Sequence, residues 1–325
     1  MIGRYLTLAF LSAITAEFLL GDQWLSGAKI NLPGQIAELL LYAAFYGSAA
    51  VLIREVARRT GHGWPSILLL ALAFGVLEEG IVDESLFNPN FVGEHLLRFG
   101  FIPNLGIAGP WTIFVLSLHV IWSIGAPVAI AEALFPKPLA GRTPVSPQVQ
   151  TPWLRVPAIV IALLLFVVGA IAIFEFTVVG KHFLASPGQL ITSVVVAAAL
   201  IVIALLLPRH APRGTRPFGI AAAIGILVTS AYVTLERVGT GLGPWGESLV
   251  ALALLAIGAV LAARLRLDVL GLAAGAMLTY SWLGMSKAVP LGVGPTIEQS
   301  LLVIAVIATV VVAVRRRQRM ATLVS

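Results

Sequence analysis

The stretch Trp64–Phe87, WPSILLLALAFGVLEEGIVDESLF, decides how the chain is read. From Trp64 to Leu77 it carries no charge, the pattern of a helix lying in hydrocarbon. Then Glu78, Glu79, Gly80 and Asp83 follow while the apolar character continues. A carboxylate at membrane depth costs roughly 2.5 to 3.5 kcal/mol on the insertion scale, so the rest of the protein must supply partners for these groups. They are the first candidates for function.

The surrounding sequence fits that reading. Hydrophobic residues make up 59% of the 325 positions and charged ones only 11%, which no soluble domain shows. Ten apolar runs recur, at 4–20, 35–53, 64–84, 110–133, 156–177, 190–207, 217–236, 246–263, 269–285 and 296–314. Each approaches the length that crosses about 30 Å of hydrocarbon as a helix. No alternating barrel pattern is present, so the expected fold is all-α, a polytopic transmembrane helical bundle. The first twenty residues, with Arg4 before LTLAFLSAITA, also have the shape of a signal peptide; in a polytopic chain they read as an uncleaved first span.

Basic residues orient the bundle. Arg4, Arg54, Arg58, Arg59, Lys137, Arg142, Arg155, Arg209, Arg213, Arg216, Arg264, Arg266 and the tail Arg315, Arg316, Arg317 and Arg319 all fall on one face, 16 of the 21 Lys and Arg residues. The positive-inside rule then makes both termini cytoplasmic, in a plasma membrane of bacterial type. The net charge of +6 reports topology and contact with anionic lipid, not nucleic-acid binding. Absence of cysteine excludes disulfides, thiolate nucleophiles and cysteine metal sites.

The acids divide by face. Glu17, Glu38, Glu78, Glu79, Asp83, Glu84, Glu175, Glu236, Glu247 and Glu298 map to the outer half of a span or its edge, and Glu55, Glu132 and Asp268 to the cytoplasmic side. Glu175, Glu236, Glu247 and Glu298 read as interfacial groups that reach headgroups or water, and those near helix N-termini also complement the dipole. Glu78 is different. It lies about 21 Å along its helix from Trp64, too deep for an end residue. Glu79 and Asp83 share a helical face while Glu78 points about 100° away, and Gly80 allows a close approach by another helix or a ligand.

The expected partner is His119 in the next span, about 14 Å from Pro110 and therefore close to Glu78 in depth. Trp122 lies one turn further on, and Gly125 with Pro127 would kink the helix below, at the floor of a cavity. Two adjacent carboxylates and an imidazole titrate as one coupled group that can carry a proton, bind a cation, hold a divalent metal on Glu78, Glu79 and His119, or activate water. Glu38 and Glu17 would complete an outward-facing acidic vestibule.

The chain reads as one integral membrane domain. A polar front half at 1–135 holds four spans and the outer loop 85–109; a Pro-rich linker follows at 136–155, then an apolar back half at 156–325 with six spans. In the outer loop, FVGEHLLRFG has apolar residues at helical spacing and reads as a re-entrant or interfacial cap carrying Glu94, His95 and Arg98, with a structured connector as the other reading. In the back half, AIGAVLAARL and GLAAGAML suit tight helix packing.

No phosphate-binding glycine loop, HExxH helix or prenyltransferase aspartate motif is present, and all four lysines lie in loops or at span ends. The sequence therefore leaves three readings open. The first is a proton- or cation-linked transporter or permease, with Glu78 and Glu79 as the ion site, Asp83 and His119 in the relay, and a small polar or cationic substrate. The second is an intramembrane hydrolase, and the third a membrane assembly or immunity factor without catalysis.

A pair of intramembrane glutamates followed by a histidine on the next helix resembles the opening motifs of the CAAX-processing/bacteriocin-type glutamate intramembrane proteases. The resemblance rests on Glu78, Glu79 and His119, and implies a Glu-activated water or a metal site. Asp83 stands where that family carries arginine, Val115 where it carries phenylalanine, and no later span supplies its second histidine.

Overall fold

A computed structural model describes residues 2–27, 31–136, 151–209 and 217–322. Among the described residues ten long helices succeed one another: α1 (Ile2–Ala13, continued by Ile14–Phe18), α2 (Leu32–Arg59), α3 (Trp64–Val82), α4 (Gly109–Leu134), α5 (Val156–Gly180), α6 (Pro187–Leu206), α7 (Phe218–Val238), α8 (Gly243–Arg264), α9 (Val269–Leu291) and α10 (Val293–Thr322). Helices α2–α10 are long and apolar enough to cross a membrane. Among the described residues the only strands are β1 (Phe101–Ile102) and β2 (Ile107–Ala108), an antiparallel pair in the outer loop. The chain is thus a multi-pass helical membrane protein, with helix bounds close to those of the apolar runs.

Proline begins many of the helices. Pro33, Pro65, Pro110, Pro157, Pro187 and Pro244 occupy the first turns of α2, α3, α4, α5, α6 and α8. There the missing N–H would have lacked a helical partner anyway. Asn31 caps α2 through Gly34 N at 2.9 Å, Ser186 and Gln189 form a reciprocal box at α6, and Asp268 caps α9.

The interior belongs to α3, α4 and α9. In their most apolar windows 67%, 61% and 67% of residues are buried by protein, against 11% in α5 and α8. The apolar faces of those outer helices are left to lipid. The two halves of the chain interleave: α5 and α6 pack on α2 and α3, while α9 and α10 pack on α4. Small residues bring α7 and α9 close together. A Cβ on Gly225 would lie 2.7 Å from Leu272 O, and one on Gly275 2.5 Å from Ala222 O. The expected tight packing of GLAAGAML is this seam.

The outer loop corrects one expectation. FVGEHLLRFG forms no continuous helix: helical geometry is confined to Phe91–Gly93, where Val92 has φ 49°, and turns lead into the β1–β2 ribbon. Gly93, Gly100 and Gly106 all take positive φ, which helical backbone cannot use, so glycine placement overrides the apolar spacing. Of the expected linker, 137–150 lie outside the described residues.

Basic groups gather at one end of the bundle. Arg4 sits over the Phe135 and Trp153 rings, Arg58 pairs with Glu132, Arg316 donates to Leu134 O at 2.9 Å, and Arg317 pairs with Asp268.

Candidate functional site

The candidate site is built where helices widen. In five helices the backbone passes from the ordinary i→i+4 bond into turns closed at i→i+5: Ile14–Phe18, Ala43–Gly47, Glu78–Val82, His119–Gly125 and Phe176–Gly180. Asp83 N to Glu78 O at 2.8 Å and Leu19 N to Ile14 O at 2.7 Å are such bonds. An inserted residue of this kind shifts the helical phase and turns side chains inward, and it is a frequent mark of functional sites. These turns carry Glu17, Tyr46, Glu78 with Glu79, His119 and Thr177.

Glu78 and Glu79 therefore converge on one ring. His119 Nδ1 lies 2.8 Å from Glu78 Oε2, and Nε2 lies 2.7 Å from Glu79 Oε1. All three side chains are buried. The Tyr46 hydroxyl donates to Glu78 Oε1, and Glu17 is a charged neighbour of the same tyrosine. On the other side Ser85 Oγ donates to Glu79 Oε2, and Trp111 Nε1 donates to Ser85 Oγ at 3.3 Å. Tyr46 stacks on the imidazole, with centroids 6.0 Å apart, and Phe74 meets its edge at 5.7 Å. The two carboxylates, the imidazole, the phenol and the serine form one connected chain.

Helices on both flanks hold the histidine. Thr15 Oγ1 donates to Trp122 O at 2.8 Å and Ser12 Oγ to Ser123 O at 2.5 Å, so α1 satisfies carbonyls of the wide turn in α4. Ser123 Oγ lies 3.2 Å from His119 Nδ1. Trp122 turns away toward α9, donating to Ala276 O at 2.8 Å and stacking on Tyr280 at 4.1 Å. Gly80 faces α6, where a Cβ would collide with Ser193. The close approach that a glycine allows is here made by a helix.

The other candidates lie around this centre. Asp83 pairs with Lys181 at 2.5 Å, with Thr177 Oγ1 at 3.4 Å, beside the ring and not against it. Glu17, Glu38 and Asp83 all act electrostatically on Tyr42, which lies one turn before Tyr46 on α2. Glu84 is outside the helices, buried, with its Oε2 accepting Ala185 N at 2.9 Å; burial pushes this carboxyl above its usual range. Glu298 accepts Leu25 N and Ser26 N at 2.5 and 2.6 Å, which pins the loop after α1.

No family model, curated protein or solved structure matches this chain.

Proton bookkeeping defines what the site can do. Two contacts between ring nitrogens and carboxylate oxygens need two protons, held either as imidazolium between two carboxylates or as neutral imidazole beside one carboxylic acid. These arrangements are tautomers of equal net charge. A proton taken at one nitrogen can leave from the other, so the ring connects Glu78 to Glu79 without building up charge in a buried place. The same three groups are also a metal-donor set, with one ligand atom from each lying within 4.8 Å of the others. Two carboxylates and an imidazole suit borderline divalent ions such as zinc, iron or manganese.

Sequence reading missed Tyr46, Ser85 and Trp111. Tyr42 and Tyr46, four apart in an apolar run, were a visible signal of one polar helical face. Nothing in the sequence marks Ser85 or Trp111.

Proposed function

We propose that this protein is a proton-linked membrane transporter or permease in which Glu78, His119 and Glu79 bind and pass the coupling proton. The observation that carries this reading is the buried run of contacts Tyr46, Glu78, His119, Glu79, Ser85, hydrogen-bonded at every step but the 2.8 Å ion pair between Glu78 and His119, and drawn from α2, α3 with the turn after it, and α4. Buried ionisable groups in a spanning bundle mark ion pathways and proton relays. A structural ion pair would need one acid and one base, whereas here one ring joins two acids that hydroxyls extend further. The substrate this reading expects is small and polar or cationic, and the basic end faces the cytoplasm in contact with anionic lipid.

The test is proton flux in liposomes holding the purified protein and a pH-sensitive dye. A negative-inside potential drives proton uptake in the native protein, and Glu78→Gln and Glu79→Gln abolish it. Equal dye responses in the native protein, both variants and protein-free vesicles refute the proposal.

A second reading rests on the donor set. As an intramembrane hydrolase the chain would hold a divalent ion on Glu78, Glu79 and His119, and that ion would supply a Lewis acid and a bound hydroxide at neutral pH. One stoichiometric metal in the purified protein, lost in His119→Ala, would favour this reading over the relay.

A further inference from the structure

Burial of charge is uneven at both ends of the bundle: Arg59 and Arg317 at the basic end keep 37% and 32% of their side-chain exposure, while Glu84 at the acidic end is buried. At the acidic end the Asp22 side chain keeps 46% of its exposure and Asp83 keeps 20%. At the basic end Arg54, Glu55 and Glu132 keep 0%, 2% and 6%. Arg54 bridges the two acids, with Nη1 3.0 Å from Glu55 Oε1 and Nε 3.0 Å from Glu132 Oε1, and Arg58 grips Glu132 with two bonds of 2.8 Å. This network ties α2 to α4, the helices that carry Tyr46 and His119. It lies about 12 Å below Tyr46 along α2 and about 20 Å below His119 along α4.

A strap closes over it. Residues 151–155 lead into α5 and are bound mainly through backbone atoms. Trp153 N and Leu154 N donate to the two oxygens of Glu55 at 2.6 and 3.3 Å, Arg54 Nη2 donates to Thr151 O at 3.0 Å, and Arg59 donates to Leu154 O. The Trp153 ring covers the Arg54 guanidinium at 3.5 Å.

We infer that this network and its strap are a reversible gate, closed here, that seals the basic end of the pathway. Chemistry favours a gate over a permanent plug. Burying four charges is expensive, and apolar residues of the same size would seal as well or better. A charged joint has the opposite merit: when it parts, every group regains water, so closed and open forms lie close in free energy. Alternating access needs such a joint on each side of the central site. The inference rests on the transport reading, but its test does not depend on any substrate.

The chain has no cysteine, so Ser48→Cys introduces a single thiol. Ser48 is fully buried on α2, between Tyr46 and Arg54, and hydrogen-bonds to Tyr5. The probe is a membrane-impermeant maleimide applied to vesicles of each orientation. With the gate intact, labelling from the basic face is slow. Trp153→Ala, which loosens only the strap, and Glu132→Gln, which weakens the network, each speed it about tenfold, as a modest population shift would. Labelling from the acidic face stays unchanged. An unaltered rate in both variants overturns the gate, and so does an equal rise from both faces, which reports general loosening. Gate behaviour without proton flux would sink the transport reading alone; proton flux without gate behaviour would sink only this inference.

Discussion

His119 Nε2 lies 2.7 Å from Glu79 Oε1 although forty residues and a long outer loop separate the two in the chain. The second ring nitrogen reaches Glu78, so the histidine has a carboxylate on each side. Because all three groups are buried, each depends on the others for its charge balance.

Removing the ring should therefore be costly. His119→Ala leaves two buried carboxylates unpaired and is expected to lose about 3 to 5 kcal/mol of stability, the range for breaking a buried ion pair. Neutralising both acids in the same background, with Glu78→Gln and Glu79→Gln, should recover much of that loss. Thermal unfolding in detergent measures both. No recovery would mean that the ring contributes by packing and not by charge.

Tyr46→Phe keeps the ring stacked on His119 and removes only the hydroxyl that donates to Glu78. The expected result is a folded protein with proton flux lowered at least about tenfold, within the range by which removing one proton-transfer group slows a reaction. Native flux in this variant would place Tyr46 outside the pathway.

Gly80→Ala drives a methyl group into Ser193 on α6 and should disturb Glu79 directly beside it. The cost of overpacking is about 1 to 3 kcal/mol. Ser193→Gly removes the obstacle, so the double variant should regain both stability and flux. If the single variant behaves like the native protein, α3 and α6 are not in contact at this point.

The α7–α9 seam makes a prediction independent of function. A Cβ on Gly275 would meet backbone atoms of Ala222 and Ile226, which cannot turn aside as a flexible side chain could. Gly275→Ala should thus lower the unfolding temperature with a loss of about 1 to 3 kcal/mol. Gly188→Ala, where nothing lies within 4 Å, is the matched control and should change little.

Glu84 supplies a pH test outside the membrane-spanning helices. Burial is the main cause that raises its carboxyl, Ala185 N–H opposes it and Asp83 adds to it. The folded form thus holds the proton more tightly than the unfolded chain does. This residue contributes most stability below the ordinary carboxylate value of about 4.3 and loses it as pH rises past that point. Glu84→Gln should flatten the decline in unfolding temperature as pH rises above about 4. An unchanged slope would contradict this.

How much was legible from sequence varies along the chain. Helix bounds followed from apolar run length, since the bilayer demands about twenty residues of any helix that crosses it. The depth match of Glu78 and His119 followed from counting residues at 1.5 Å each. Direction was less accessible. Helical phasing sends Glu78 about 100° away from Glu79, and the two carboxylates meet opposite nitrogens of one His119 ring, a convergence that the phase alone does not fix. The same phasing places Asp83 beside Glu79, and tertiary structure gives it Lys181 as partner from α5.

By itself, then, the sequence determined that the chain is a multi-pass helical bundle, where its helices run, and that Glu78, Glu79 and His119 share a depth. Those properties depend on local composition and on the thickness of hydrocarbon, which every segment meets separately. Only the tertiary structure decided that one imidazole bridges both glutamates, that Tyr46 and Ser85 extend the chain, and that Arg54 and Glu132 lock the opposite end. Each of these is a meeting of side chains from different helices, fixed by wide turns and close packing that no single segment encodes.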